Sequence, residues 1–250
     1  MWPGGAGGRL GWLTVLVLVV DSSTPAVTAA LAEVTADGVA LRAHRCTVDA
    51  RAHGELLAPQ VEAVLADVDA RPADLGAIVA GLGPGPFTGL RVGLVTAATM
   101  GQVLGIPTYG VCSLDGIGHR GPAPAGTTGG TAVGEQRVLV AADARRKEVY
   151  WAVYDGTGRR IVGPEVDAPA VAAARARELA VTEAVGDGAH RYADVLGLPL
   201  RAEPRYPEAA ALVALAAERI RAGAPGETLT PLYLRRPDAV AATSRKSVLP

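Results

Sequence analysis

The sequence predicts an α/β protein of two related lobes, each a mixed sheet flanked by helices. Three observations carry this. First, the apolar run Ala77-Ile78-Val79-Ala80 reads as a buried strand, and a glycine-rich turn leads from it into a proline-free helix over 90–104. Second, the chain opens strand–turn–strand: residues 15–20 are apolar and end in Asp21, and 27–34 return. Third, that opening recurs. Val138-Leu139-Val140-Ala141-Ala142-Asp143 repeats the first run with its aspartate, residues 149–154 repeat the returning strand, and Asp155-Gly156 repeats the turn at Asp37-Gly38.

In chain order, residues 1–12 are glycine-rich, lack an apolar period and are expected to be a disordered extension. Residues 13–20 are almost wholly apolar, with Arg9 before them. This suits a first strand better than a signal peptide, and it is too short for a membrane span, which takes about 20 residues. A third strand follows over 39–46. Leu57, Val61, Val64, Leu65 and Val68 then fall on one helical face, with Pro59 expected to kink that helix or sit in its first turn. Thr88 is placed to cap the next helix, which Gly105-Ile106-Pro107 stops. Residues 108–112 make a strand, and Ser113-Leu114-Asp115 starts a short helix.

The composition of 119–136, rich in Gly, Pro and Thr, marks a linker. Beyond the repeated strands, 169–180 is helical with Pro169 in its first turn. Residues 184–188 give a strand and turn, and 208–221 a last helix stopped by Gly223. The expected organisation is a first lobe of 13–118 plus 207–236, a second lobe of 137–206, and a disordered tail over 237–250.

Composition bounds the function. With 49% hydrophobic residues the 250-residue chain has enough for real cores. A net charge of −1 provides no general attraction to nucleic acid. Cys46 and Cys112 give neither a disulfide framework nor a zinc spacing, which fits a reducing cytosol. The four histidines, His44, His53, His119 and His190, are scattered without an H-x-x-x-H pair, so no metal site is expected. His53 and Glu55 have no nucleophile near them in sequence.

The turn before the helix at 90–104 invites a phosphate, because free N–H groups at a helix start attract anions. The known spacings fail: there is no Walker lysine, and a dinucleotide fingerprint would need glycine where Thr88 stands. Pro84 and Pro86 stiffen the loop and remove two donors. Within the helix, Gly89, Gly93, Ala97 and Gly101 recur every four residues. Such a stripe suggests that another backbone approaches closely, from the same domain or from a partner.

The stretch Gly83-Pro84-Gly85-Pro86-Phe87-Thr88-Gly89-Leu90-Arg91-Val92-Gly93 resembles the signature of the bacterial TsaB family, also called YeaZ. The usual serine is replaced by Pro86, so no role for that hydroxyl carries over. Asp143-Ala144-Arg145 with Glu148-Val149-Tyr150-Trp151, and Pro231-Leu232-Tyr233-Leu234-Arg235, resemble the family as well, and the similarity spans about 15–236. The resemblance implies an actin/hexokinase/Hsp70-like (ribonuclease H-like) fold. It implies a cytoplasmic, non-catalytic subunit that binds and activates TsaD for threonylcarbamoyl transfer to the tRNA adenosine next to the anticodon. TsaE would be the ATPase partner, tRNA would be met only through the complex, and the chain alone could form a homodimer. The interface would be a helix bundle, which places Leu57, Val61, Val64, Gly89, Gly93, Ala97 and Gly101 in it.

In nucleotide-binding proteins of that fold each lobe offers a small-residue turn to the phosphates. Here Asp21-Ser22-Ser23-Thr24 keeps hydroxyls and an acid. The second copy, from Asp143, carries Arg145-Arg146-Lys147 and no glycine. Asp21, Ser22, Ser23, Thr24 and Asp143 are the candidates for a degenerate nucleotide site: no cofactor is expected on the chain alone, and ATP or ADP could enter in the complex. No catalytic set is visible. An active small-molecule kinase of the same fold would need a general base and two intact phosphate turns, and a peptidase would need a nucleophile with its base.

Overall fold

A computed structural model describes residues 14–120 and 136–235. The expected tails over 1–12 and 237–250, and the body of the expected linker, lie outside the described residues. Strands β1 (Val15–Asp21), β2 (Ala26–Val34) and β3 (Val39–Val48) form an antiparallel meander. Strands β4 (Ala77–Gly81) and β5 (Thr108–Val111) join it in parallel, giving the order β3-β2-β1-β4-β5. The apolar run at 15–20 is thus the central strand, paired on both sides.

Because side chains alternate along a strand, β1 feeds two cores. Leu18 and Val20 pack with Leu57, Val61 and Val64 of helix α1 (His53–Ala66) and with Leu90 and Leu94 of α2 (Phe87–Leu104). Val17 and Val19 pack on the opposite face with Leu212, Val213 and Ala216 of α7 (Ala209–Arg221). Burial on both faces is why these strands read as continuous apolar runs.

The second sheet has the order β8-β7-β6-β9, from β6 (Val138–Asp143), β7 (Val149–Tyr154), β8 (Arg160–Asp167) and β9 (Glu183–Val185). Strand β6 pairs antiparallel with β7 and parallel with β9, as β1 does with β2 and β4. The internal repeat is therefore a repeat of topology. Helices α4 (Pro169–Glu178) and the short α5 (Asp187–Arg191) and α6 (Ala193–Leu196) cover this sheet. Between the sheets, Cys112 and Leu114, in the link from β5 to α3 (Asp115–Gly118), and Ile117 of α3 pack with Val140, Tyr150 and Tyr154. Tyr154 Oη donates to Asp115 at 2.7 Å across this junction.

Four local expectations differ. Helix α2 starts at Phe87, with Pro86 at its N-cap (φ −58, ψ 133) and no side-chain cap bond, so Thr88 is the second helical residue and caps nothing. Of the two alternatives for Pro59 only the first-turn place is ruled out, since it lies inside α1. Strand β8 has no counterpart in the sequence reading because it is a half-exposed edge strand interrupted by Gly163-Pro164, a combination tolerated only at a sheet edge. The turn expected after 184–185 opens directly into α5, with Gly186 as its N-cap at φ 107.

Candidate functional site

The turn after β1 is a knot of buried polar groups. Asp21, Ser22, Ser23 and Thr24 are each 3% exposed or less. Asp21 accepts from Ser23 N–H (2.9 Å), from Ser23 Oγ (2.8 Å) and, on its other oxygen, from Ser113 Oγ at 2.5 Å. Burial pushes its carboxyl pKa up, against the pull of those donors. Ser22 Oγ donates to the Gly89 carbonyl and accepts from Gly93 N–H, both at 2.8 Å. An α-helix normally pairs those two groups with each other, so the hydroxyl is built into the first turns of α2. His53 Nε2 lies 2.8 Å from the Thr24 carbonyl and ties α1 to the same turn.

The glycine-rich loop closes over this knot. A side chain on Gly85 would collide with the Ser23 backbone, and a Cβ on Gly93 would stand 2.6 Å from Ser22 Oγ. The close partner that the helical glycine stripe demands is the chain's own first turn. Gly89, Gly93, Ala97 and Gly101, expected to offer a groove to another protein, are all four buried within the chain, and Gly101 abuts Thr108. Leu57, Val61 and Val64 are likewise core residues. The hydroxyls of Ser22 and Ser23 are also spent on protein partners, so the first turn does not present them to a phosphate.

The outward faces of the two helices are different. On α2 they carry Phe87, Thr88, Arg91, Val95, Ala98, Thr99, Gln102 and Val103, and Arg91 is the only charge in the helix. Val95 is 61% exposed and Val103 77%. At its N-terminal end Arg91 stacks 3.8 Å over the Phe87 ring, and its Nε donates to Tyr233 Oη at 3.0 Å. Phe87 and Tyr233 rings lie 5.1 Å apart. On α1 the outward residues include Glu55, Ala58, Pro59, Glu62 and Ala66. No sequence pattern separates this face from the buried one, because α2 is apolar nearly all round.

The second turn, between β6 and β7, has the opposite character. Arg145, Arg146 and Lys147 are exposed and adopt left-handed backbone at φ 62, 52 and 61. Each non-glycine residue there costs about 1–2 kcal/mol. Bonds from Ala144 N–H to the Glu148 carbonyl (3.0 Å) and from Glu148 N–H to the Arg145 carbonyl (2.9 Å) hold the loop. Asp143 Oδ1 accepts from Arg145 N–H at 3.2 Å, and its Oδ2 faces Arg145 Nη1 at 3.7 Å and Arg191 Nη1 at 3.8 Å. This end of β6 borders a cleft of about 440 Å³ whose walls include Pro25, Asp187, Arg205 and Tyr206. Burial, reinforced by the Asp143 charge, pushes Asp187 up to about 6. Of the candidate nucleotide residues, only Asp143 lines that cleft.

For other chemistry, burial pushes the Cys112 thiol up to about 11, which makes it a packing residue rather than a nucleophile. Among the described residues no group of three His, Cys, Asp or Glu side chains could hold a metal. No described helix is long and apolar enough to cross a membrane.

Two lobes with the same strand pairing around a cleft define an α/β protein of the actin/hexokinase/Hsp70-like class, here with its first phosphate-side turn packed shut. A family model described as TsaD, tRNA N6-adenosine threonylcarbamoyltransferase, matches residues 46–222. An uncharacterised protein of Mycobacterium leprae is 47% identical over 90% of this chain, which spans only 56% of that longer protein. The Escherichia coli tRNA threonylcarbamoyladenosine biosynthesis protein TsaB is 32% identical over 88% of this chain and 94% of its own length. The solved structure of YeaZ from Pseudomonas aeruginosa superposes with a TM-score of 0.66 at 26% identity, over 88% of this chain and all of that one. The chain belongs to the TsaB (YeaZ) family.

Proposed function

We propose that this chain is a non-catalytic, cytoplasmic subunit of the machinery that makes threonylcarbamoyladenosine in tRNA. In this reading it binds and activates a TsaD-type transferase, and the threonylcarbamoyl group moves to the adenosine next to the anticodon on that partner. The observation that carries the proposal is the outward face of α2: a long, nearly uncharged helix surface with Val95 and Val103 more than half exposed. A solvated helix face ordinarily carries charge. The Phe87–Arg91–Tyr233 cluster at its end has the residue types that dominate binding energy at interfaces. With α1 beside it, the face suits a bundle with two helices of the transferase.

Non-catalysis rests on the knotted first turn and on a second turn filled by arginines. Nucleotide would then enter only in the assembled complex, with TsaE as the further ATPase partner. In the absence of a transferase the same face pairs two copies of this chain.

Reconstituted tRNA modification with and without the chain tests the role. Charge placed on the face by Val95→Glu with Val103→Glu should leave thermal unfolding unchanged and weaken transferase binding at least about tenfold, the scale of a hot-spot loss. Unchanged binding would remove this face from the interface. ATP turnover by the lone wild-type chain would turn the reading towards a kinase.

A further inference from the structure

We propose that the β6–β7 turn and the adjoining cleft rim form a contact surface for the phosphate backbone of RNA. Arg145, Arg146 and Lys147 leave the turn as consecutive exposed cations, and Arg191 and Arg205 join them from α5 and from the segment before α7. Arg191 stands between two neighbouring hollows of about 440 and 560 Å³, so the cations lie along one continuous rim. The acid nearest Arg145 and Arg191 falls short of neutralising them. One oxygen of Asp143 serves both guanidiniums at 3.7 and 3.8 Å, with the side chains of Arg145 and Arg191 still 47% and 60% exposed. Glu148 is paired with Arg235, and Glu203 accepts from the Arg205 backbone N–H.

The backbone supports the same conclusion. Three left-handed residues in a row are the place for glycine, and the chain carries cations there instead. Such strain marks positions held for a purpose other than stability.

Two features favour an extended polyanion over a compact phosphate. Asp143 and Asp187 line the cleft together with Arg145, Arg191 and Arg205, so a compact phosphate entering it meets carboxylates as well as cations, whereas Arg145 and Arg191 also reach out into solvent. Tyr206 in one hollow and Tyr192 in the other set partly exposed rings among the cations, the interleaving that suits bases and backbone together. The choice of RNA rests on the tRNA role proposed above. The net charge of −1 keeps the attraction local to this rim.

The test titrates the full chain with an unmodified tRNA transcript across a salt series. The wild type should bind with a clear salt dependence. Arg145→Glu with Arg146→Glu should weaken binding at least about tenfold and flatten the salt slope by about 0.7–0.9 per lost phosphate contact. The milder Arg191→Gln, on another element, should weaken it about threefold at unchanged melting temperature. Arg71→Glu, at a still more exposed cation of the first lobe, should change nothing. No tRNA binding by the wild type, no loss in the turn variants, or an equal loss from Arg71→Glu would overturn the proposal. So would ATP that displaces the transcript with the same arginine dependence, since the rim would then serve a nucleotide. Capture of the transferase by the same variants is read separately: lost tRNA binding with intact capture isolates this surface, and lost wild-type capture with intact arginine-dependent tRNA binding sinks only the partner reading.

Discussion

The two hairpin turns start from the same strand pairing and end as opposites. After β1 the turn is buried, its hydroxyls and carboxylate all bonded within the protein, and α2 with its glycine loop packs down onto it. After β6 the turn is exposed, left-handed and cationic. The difference lies in the helix that succeeds the neighbouring parallel strand. Strand β4 leads into an 18-residue helix whose glycines admit a backbone, whereas β9 leads into the five-residue α5. A duplicated element therefore kept its topology in both lobes while its turn took on whatever chemistry the covering element allowed. The first turn is a structural joint, and the second is free to face outward.

This contrast predicts that changes at the first turn destabilise and changes at the second stabilise. The largest effect is expected from Gly93→Leu, which puts carbon where Ser22 Oγ sits and strands its two bonds. Overpacking and the lost hydrogen bonds together should cost about 3–5 kcal/mol in urea unfolding. A variant as stable as the wild type would mean that the stripe does not pack on the first turn.

At the second turn, Asp187→Asn sharpens the comparison through pH. The folded-state pKa of Asp187 is raised from 3.8 to about 6. The folded protein thus holds the proton more tightly than the unfolded chain. Its contribution to stability is full below the unfolded value and is lost as pH rises through about 6. The asparagine variant should lack that fall and be about 2 kcal/mol more stable at neutral pH. Parallel stability curves for the two proteins from acid to neutral pH would refute the assignment. The smallest effect is expected at Lys147, where glycine suits φ 61. Lys147→Gly should stabilise by about 1 kcal/mol, read as a small rise in melting temperature. A loss of similar size would show that the lysine side chain holds the turn.

Much of this protein is legible in its residues. The central strand at 15–20, the helix stop at Gly105 and the repeat of apolar run and aspartate all appear where local pattern places them, since strand period and turn chemistry act over a few residues. The motif at 83–93 and its distant companion at 143–151 carry the family, and the comparison with E. coli TsaB agrees. The candidate site is legible only in part. Four-residue spacing of small side chains announces a close approach without saying what approaches, and α2 is too apolar all round for its buried face to be separated from its outer one. Strand β8 escapes the pattern because a half-exposed edge strand with a Gly-Pro interruption has no clean period.

The sequence by itself determined the elements, their duplication and the family, because each depends on neighbours along the chain. Tertiary structure alone decided that Gly93 faces Ser22, 71 residues away, and that the hydroxyls of the first turn are spent inside while the arginines of the second remain outside. Close contact is a property of two surfaces brought together by folding, and either surface alone leaves its partner open.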